Sequence, residues 1–598
     1  MTKKKRNEDD FLARSVSRRS LLKGGAGSVA GLAAGSLLAG CGGSGSAVAQ
    51  APDGREDEAG QRAPQPALKN PFLHGVASGD PLQDRVILWT RVTPAAHGRV
   101  LVHWRIARDP LMLEVLHSGK TETDASRDYT VHVDAAGLAA DAVYYYQFSA
   151  FGHVSPIGRT KTTASRHLER LRLAVCSCSN YPHGFFNVYA ALARRTDLDA
   201  VLHLGDYIYE YGNEGYGGDT GAAISREVVP EHDIVTLEDY RSRYAHYRRD
   251  PDLQAAHQQH PFIVVWDDHE SANNAWQHGA ENHDEATQGH WIYRRAAALQ
   301  AFREWLPIRQ DHDDPARIYR SFRFGNLVDL FMLDTRLYGR DLQAGTLPLD
   351  AATINDPNRQ ILGPTQENWL EYQLYESRAR WKILGQQVMF GQLNLAPALP
   401  IVSELVGGLP VAGGLVRELP LLGSVLASDG LLLNVDQWDG YPAARRRVMD
   451  MLSRIDNPIV LTGDIHTSWA MELTPEPANP LRYSPVTGRG SIGVEFVTPS
   501  VTSPGLPELA PVAEAIRLLN PHIKYVDLQR HGYVLLDITH DRTQAEWWYV
   551  PGITARSHEE YLGRAYVVEA GSNTLTPAGG VTRERPQIAA LAPTPAPA

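Results

Sequence analysis

The chain has 598 residues, 43% of them hydrophobic, ordinary glycine and proline usage, and a formal net charge of −11. That length is enough for two or more domains with large cores, so the composition describes a globular protein with polar ends. The modest acidity and the lack of any Lys/Arg-rich block beyond the first few residues exclude a nucleic-acid-binding surface.

The chain opens with Lys3, Lys4, Lys5 and Arg6, then SRRSLLK, in which Arg18 and Arg19 precede Leu21 and Leu22, and then the small apolar stretch GGAGSVAGLAAGSLLAGC. The stretch is too short and glycine-rich for a membrane span, and its charged-then-apolar order is that of an export signal. It resembles a twin-arginine signal, a route that carries folded proteins and suits one that loads a cofactor before leaving the cytoplasm. Residues 1–49 are assigned to it, which implies the twin-arginine export machinery as a partner and a periplasmic, cell-surface or secreted destination. Two processing sites compete. LAGC at 38–41 resembles a lipobox with Cys41 acylated, and AVA at 47–49 has the form of ordinary signal cleavage. The lipid anchor is the preferred reading, and it would hold firmly only with more than one acyl chain.

Residues 50–70 are Gly, Ser, Pro and charge, a flexible linker. From Pro71 the character changes to short β-branched and aromatic segments, RVILWTRV, VLVHWRIA, DYTVHVDA and AVYYYQFSA, separated by turn-forming stretches. This predicts a small all-β, Ig- or fibronectin-like sandwich over 71–162. Beyond it, LRLAVCSCS, DAVLHLGD, PFIVVWDDHE, LVDLFMLDTR, WKILGQQVMF and IVLTGDIH alternate with helical segments, and apolar strands alternating with helices predict an α/β domain with largely parallel pairing over 163–550. Two later strands, in GSIGVEFVTPS and RHGYVLLDITH, are expected to extend a sheet antiparallel. The stretch 393–434 is nearly uncharged and broken by Pro and Gly, which predicts an insertion of short helices over the domain: core packing on one reading, an apolar lid or lipid-facing surface on the other. Residues 551–598 form a C-terminal extension that ends in a disordered Pro/Ala tail.

With Cys41 in the signal, only Cys176 and Cys178 remain, and side chains two apart on a strand run parallel at the limit of bridging, so no disulfide framework is expected. What stands at the carboxyl ends of the apolar runs is more informative: Cys178, Asp206, Asp267 with Asp268, Asp334 with Arg336, and Asp464 with His466. Ligands of α/β sheets bind at those ends. Acids crowded at one edge raise one another's pKa unless cations hold them, so metals are the economical explanation. His466 and a Cys178 thiolate suit a transition ion, whereas Asp206, Asp268, Asp464 and an amide such as Asn273 suit a hard ion like calcium. Arg336 is a candidate for gripping a substrate oxyanion bidentately, with Asp334 capping a helix or bracing it. Cys176, His183 and His203 are expected to be structural.

These segments carry a family resemblance. CSCSNYPHGFFNVY, HLGDYIYEYG, WDDHESANN, FGNLVDLFMLDTR and VLTGDIHTSWA resemble, in order, the motifs of the PhoD-type alkaline phosphatases, a branch of the calcineurin-like metallophosphoesterases, and FLHGVASGDPLQDRVILWTRV resembles that family's N-terminal sandwich. The resemblance spans roughly 71–550 and implies a β-sandwich flanked by helices. It also implies a ferric ion held by Cys178, Asp206, Tyr209 and His466, with calcium close by. Asp206 would bridge, and Asp464 with Asp268 or Asn273 would complete the calcium site. His269 would contact phosphate or donate a proton.

The expected activity is therefore hydrolysis of small phosphate mono- or diesters by a metal-bound oxide or hydroxide, since no G-x-S-x-G nucleophile elbow is present. The nearest alternative is a phospholipase D-like phosphodiesterase acting on phospholipid head groups. Alternatives of another class are an iron oxidoreductase and a non-enzymatic surface-binding lipoprotein.

Overall fold

The computed structural model describes residues 70–311, 313–344, 351–393, 435–585 and 591. The expected signal, all but the last residue of the linker, nearly all of the apolar insertion and the end of the tail lie outside those residues.

Most strands fall into two large sheets. The ten-stranded sheet runs, edge to edge, Leu575–Pro577, Tyr561–Glu569, Arg542–Tyr549, Gly532–Thr539, Arg170–Cys176, Ala200–His203, Pro261–Val264, Val76–Gly79, Arg85–Arg91 and Thr130–Ala136. The seven-stranded sheet runs Arg320–Phe324, Val328–Met332, Trp381–Gln386, Pro458–Thr462, Gly493–Val497, Ser468–Leu473 and Ile523–Asp527. At the middle of each lies a parallel block: Arg170–Cys176, Ala200–His203 and Pro261–Val264 in the first, and Val328–Met332, Trp381–Gln386, Pro458–Thr462 and Gly493–Val497 in the second. Ala200–His203, Pro261–Val264 and Pro458–Thr462 are buried along their whole length, which is why they read as apolar runs with little alternation, whereas Asp329, Lys382 and Glu495 interrupt their neighbours.

The two sheets share one core, in which Leu173, Val201 and Ile263 of the first pack in the same cluster as Leu330, Ile383 and Leu461 of the second. The α/β reading holds. The strands divide between two stacked layers, as the family resemblance implies. The strand Gly493–Val497 pairs antiparallel with Ser468–Leu473, as expected, and parallel with Pro458–Thr462. Gly532–Thr539 pairs antiparallel with Arg170–Cys176 as expected.

Helices cover the outer faces. Leu237–Tyr247 begins at a capping box in which the Thr236 hydroxyl accepts from the Asp239 N–H and the Asp239 carboxylate accepts from the Thr236 N–H, and it buries Tyr240, Tyr244 and Tyr247. Pro442–Leu452 buries Val448 and Leu452 against the outer face of the seven-stranded sheet, beside Leu370, Leu384 and Val460. The N-terminal β segment splits. Val76–Gly79, Arg85–Arg91 and Thr130–Ala136 extend the ten-stranded sheet, and Val76–Gly79 lies parallel against Pro261–Val264. The remaining strands form a five-stranded sheet that closes on them over a core of Val86, Leu88, Val102, Ile106, Tyr146 and Phe148. The sandwich thus shares one of its layers with the larger domain. Fully buried Asp80 pins the junction, accepting from the Arg309 N–H at 2.6 Å and from the Arg320 guanidinium at 2.6 and 2.8 Å.

Candidate metal centre

The carboxyl ends of both parallel blocks open at the same end of the molecule. Gln387 ties them together, its side-chain N–H donating to the Trp266 carbonyl at 2.7 Å and to the Leu333 carbonyl at 2.9 Å. The turns that follow the strands have an unusual backbone. Cys178, Asp206, Asp464 and His466 all have φ between 57° and 62°, in the left-handed region. For non-glycine residues this conformation costs roughly 1–2 kcal/mol each, and such strain gathers where a side chain must be aimed. Buried Glu270 holds the Asp206 turn, accepting from the N–H groups of Asp206 at 3.1 Å, Tyr207 at 2.6 Å and Asp267 at 2.7 Å.

Aimed in this way, the side chains converge. Donor atoms of Cys178, Asp206 and His466 lie within 4.8 Å of one another, as do those of Asp206, Asp268 and His269 and those of Asp267, Asp268 and Asp464. Asp206 belongs to the first two groups and Asp268 to the last two, so the three form one continuous buried cluster. Tyr209 completes the first group. Its hydroxyl donates to Asp206 Oδ2 at 2.7 Å, lies 3.2 Å from His466 Nε2 and accepts from Ser503 Oγ at 2.6 Å. His466 Nδ1 sits 2.9 Å from the Pro504 carbonyl, which fixes a proton there and leaves Nε2 facing the cluster.

A cation fits this arrangement. The donor set mixes thiol, imidazole and phenol at one end with carboxylates at the other. Burial, reinforced by the charges of Asp268 and Asp464, pushes Asp206 up to about 6, and burial pushes Asp267 well above the ordinary carboxylate range. Asp267 Oδ2 and Asn274 Oδ1 are buried with no hydrogen-bond partner. Positive charge placed here would relieve each of these penalties.

His269 is stacked on Tyr209, with ring centroids 4.2 Å apart. Its Nδ1 lies 2.6 Å from Oε2 of Glu210, which is fully buried and whose Oε1 accepts from the Asn273 N–H at 2.6 Å and Asn282 Nδ2 at 2.7 Å. Burial opposes a charge on His269, but Glu210, Asp268 and Asp206 overcome it and raise its pKa to about 10. Half-buried Tyr211 packs its ring beside His269, with centroids 5.5 Å apart, and against half-buried Tyr216, which in turn meets His183.

Two expectations change. Arg336 is fully buried, and its guanidinium bonds to Asp267, to Asp436 Oδ2 at 2.8 Å and to Asp464 Oδ1 at 2.9 Å, with Asp268 Oδ1 at 3.6 Å. It is occupied in holding carboxylates in place, not in facing a substrate. Asn273 is half-buried and turns its amide toward Glu281 Oε2 at 3.3 Å, whereas its neighbour Asn274 is fully buried, left-handed at φ 53°, and donates its N–H to Asp268 Oδ2 at 2.6 Å. The adjacent pair ANN gave no means of choosing between them. Glu210, Glu270, Ser503 and Asp436 were missed because their roles follow from burial and turn geometry, which no local motif announces. Asp334 caps the turn beneath Arg336, accepting from the N–H groups of Arg336 at 2.8 Å and Leu337 at 2.9 Å. Cys176 is buried packing, and His203 pairs with the Tyr189 hydroxyl at 2.9 Å inside the core.

Comparison with known proteins agrees with this geometry. Residues 173–547 match the family model described as PhoD-like phosphatase, and residues 58–164 match its N-terminal domain. The chain is 35% identical to alkaline phosphatase D of Bacillus subtilis over 569 residues, covering 92% of this chain and 87% of that protein. It superposes on the solved structure of PhoD with a TM-score of 0.74 at 33% identity, covering 87% of this chain and 94% of that one. The chain therefore belongs to the PhoD-like phosphatase family and is a hydrolase of phosphoric ester bonds.

Proposed function

We propose that this protein is an exported, metal-dependent phosphoesterase of calcineurin-like architecture. The observation that carries the reading is the convergence of Cys178, Asp206 and His466 within 4.8 Å, with the Tyr209 hydroxyl between Asp206 and His466. Cys178, Asp206, Tyr209 and His466 would hold a ferric ion, and Asp206, Asp268, Asp464 and Asn274 would hold calcium. Bound there, such cations supply Lewis acidity that neutralises a phosphate ester, acidifies water and stabilises the leaving oxygen.

The chain's own residues do the rest. Arg336 and Asp436 fix the carboxylates from below, and Ser503 fixes the Tyr209 oxygen from the side. His269, held by Glu210 and facing the cluster, donates a proton to the leaving alcohol oxygen. The aromatic approach of Tyr211 and Tyr216 packs the ester's organic group and excludes water around it.

The test is metal analysis of protein exported from its native host, together with visible spectroscopy. Phenolate and thiolate on Fe(III) give colour, and Tyr209→Phe shifts that band. A colourless, fully active preparation containing only zinc rejects the ferric assignment, and full activity in Asp206→Ala or His466→Ala rejects the site. Rates on p-nitrophenyl phosphate, its bis ester and phosphatidylcholine micelles rank the substrate classes. For export, Arg18→Lys with Arg19→Lys should retain the protein in the cytoplasm, and unchanged export of that variant rejects the twin-arginine route.

A further inference from the structure

The strand Trp381–Gln386 runs the depth of the seven-stranded sheet. Its carboxyl end leads to Gln387 at the metal centre. Lys382 stands at the opposite end, about 16 Å away at roughly 3.3 Å per residue. A lysine on a central parallel strand is out of pattern, since such strands are covered on both faces. Lys382 is only 7% exposed, and no described group makes a hydrogen bond or ion pair to its ammonium. Its register neighbour Asp329 gives its carboxylate to Arg323 at 3.0 Å and to the Ser377 hydroxyl at 2.7 Å. The Lys382 stem is buried along the sheet while the ammonium keeps some contact with solvent, and burial holds the Lys382 pKa below the ordinary lysine range.

Lys382 lines a cavity of about 520 Å³ whose wall also carries Arg378, Arg380 and Arg454. Two carboxylates, Glu371 and Asp456, share that wall, which leaves two positive charges in excess. Arg454 reaches Glu371 only at 3.4 Å in an exposed pair, and among the described residues Arg378 and Arg380 have no carboxylate partner. Guanidinium groups beside an ammonium suit a doubly charged tetrahedral oxyanion, Arg380 keeping its Nε–H on the His540 carbonyl at 2.7 Å.

We propose that this cavity binds a phosphate-type dianion, free or as the terminal group of a small phosphate compound, at a site separate from the metal centre. It stands independently of the metal assignment. The experiment is equilibrium dialysis of the full-length holoenzyme against radiolabelled inorganic phosphate at fixed chloride. The wild type should bind two phosphates per chain. Lys382→Met should lose the second at least tenfold while hydrolysing p-nitrophenyl phosphate within twofold of wild type, which also shows that it folds. Arg378→Ala, an exposed change that leaves the core intact, should weaken the second site several-fold. Asp206→Ala should keep the second site and lose the first. Displacement of the second phosphate by methylphosphonate shows that a terminal group suffices, and failure to displace it confines the site to the free ion. A single phosphate per chain in the wild type, or a second site unchanged in both Lys382→Met and Arg378→Ala, overturns the proposal.

Discussion

Glu210→Gln separates proton donation from everything else the cluster does. Glutamine keeps an oxygen for the Asn273 N–H and Asn282 Nδ2 but replaces Oε2 with an N–H group directly opposite His269 Nδ1, 2.6 Å away. The lost interaction is a fully buried, charge-assisted hydrogen bond worth about 1.5–3 kcal/mol, with no solvent to screen it. If that energy holds His269 protonated and in register with the leaving group, the rate falls roughly ten- to hundredfold. The loss should depend on the leaving group. p-Nitrophenolate departs without a proton, so p-nitrophenyl phosphate should lose only a few-fold, while glycerol phosphate, whose alkoxide must be protonated, should show the full effect in kcat/KM. In a His269→Gln background, Glu210→Gln should cost little more. Equal losses on both esters, or an undiminished loss in the His269→Gln background, would refute the role given to this pair.

Three further outcomes are expected. Asn274→Ala should release metal and reduce activity by tenfold or more, whereas Asn273→Ala should leave metal content unchanged; elemental analysis of the two purified variants decides between the neighbours. His260, held by burial at about 3 and hydrogen-bonded to the Leu192 carbonyl at 2.9 Å, stays neutral when folded but takes up a proton when unfolded. Its contribution is complete above the unfolded value of 6.5 and is lost as pH falls toward 3, at about 1.4 kcal/mol per unit, so His260→Gln should flatten the fall of the unfolding midpoint with acid over that window. Leu452→Ala removes a fully buried side chain between Leu370, Val448 and Val460 and should cost about 2–5 kcal/mol in denaturant titrations, with metal content unchanged.

Much of this cluster was legible in the chain because its residues end apolar runs. Cys178, Asp206, Asp268, Asp464 and His466 each follow a segment that could only be a buried strand, and strand ends are where α/β folds gather chemistry. Sequence stops being sufficient where direction is decided by backbone conformation. Asn273 and Asn274 are the same residue type one position apart, and only the left-handed turn at Asn274 chooses the one that is buried. Arg336 looked free to grip an anion because the carboxylates that occupy it come from positions 267, 436 and 464, distant in sequence and adjacent only after folding. Glu210 was hidden inside YIYEYG, where nothing local sets the glutamate apart from its neighbours. The division of strands between two layers was expected only from the family resemblance, since an apolar strand carries no mark of the sheet it will join.

The placement of Val76–Gly79 beside Pro261–Val264 bears on any attempt to shorten this protein. Pro261–Val264 leads directly to Asp267 and Asp268, so a truncation starting near residue 163 would bare an apolar strand edge close to the carboxylate cluster. Exposed edges of that kind invite pairing with another chain. Such a fragment should precipitate or form strand-swapped dimers, because the amino-terminal segment covers an edge that the hydrolase fold alone leaves open.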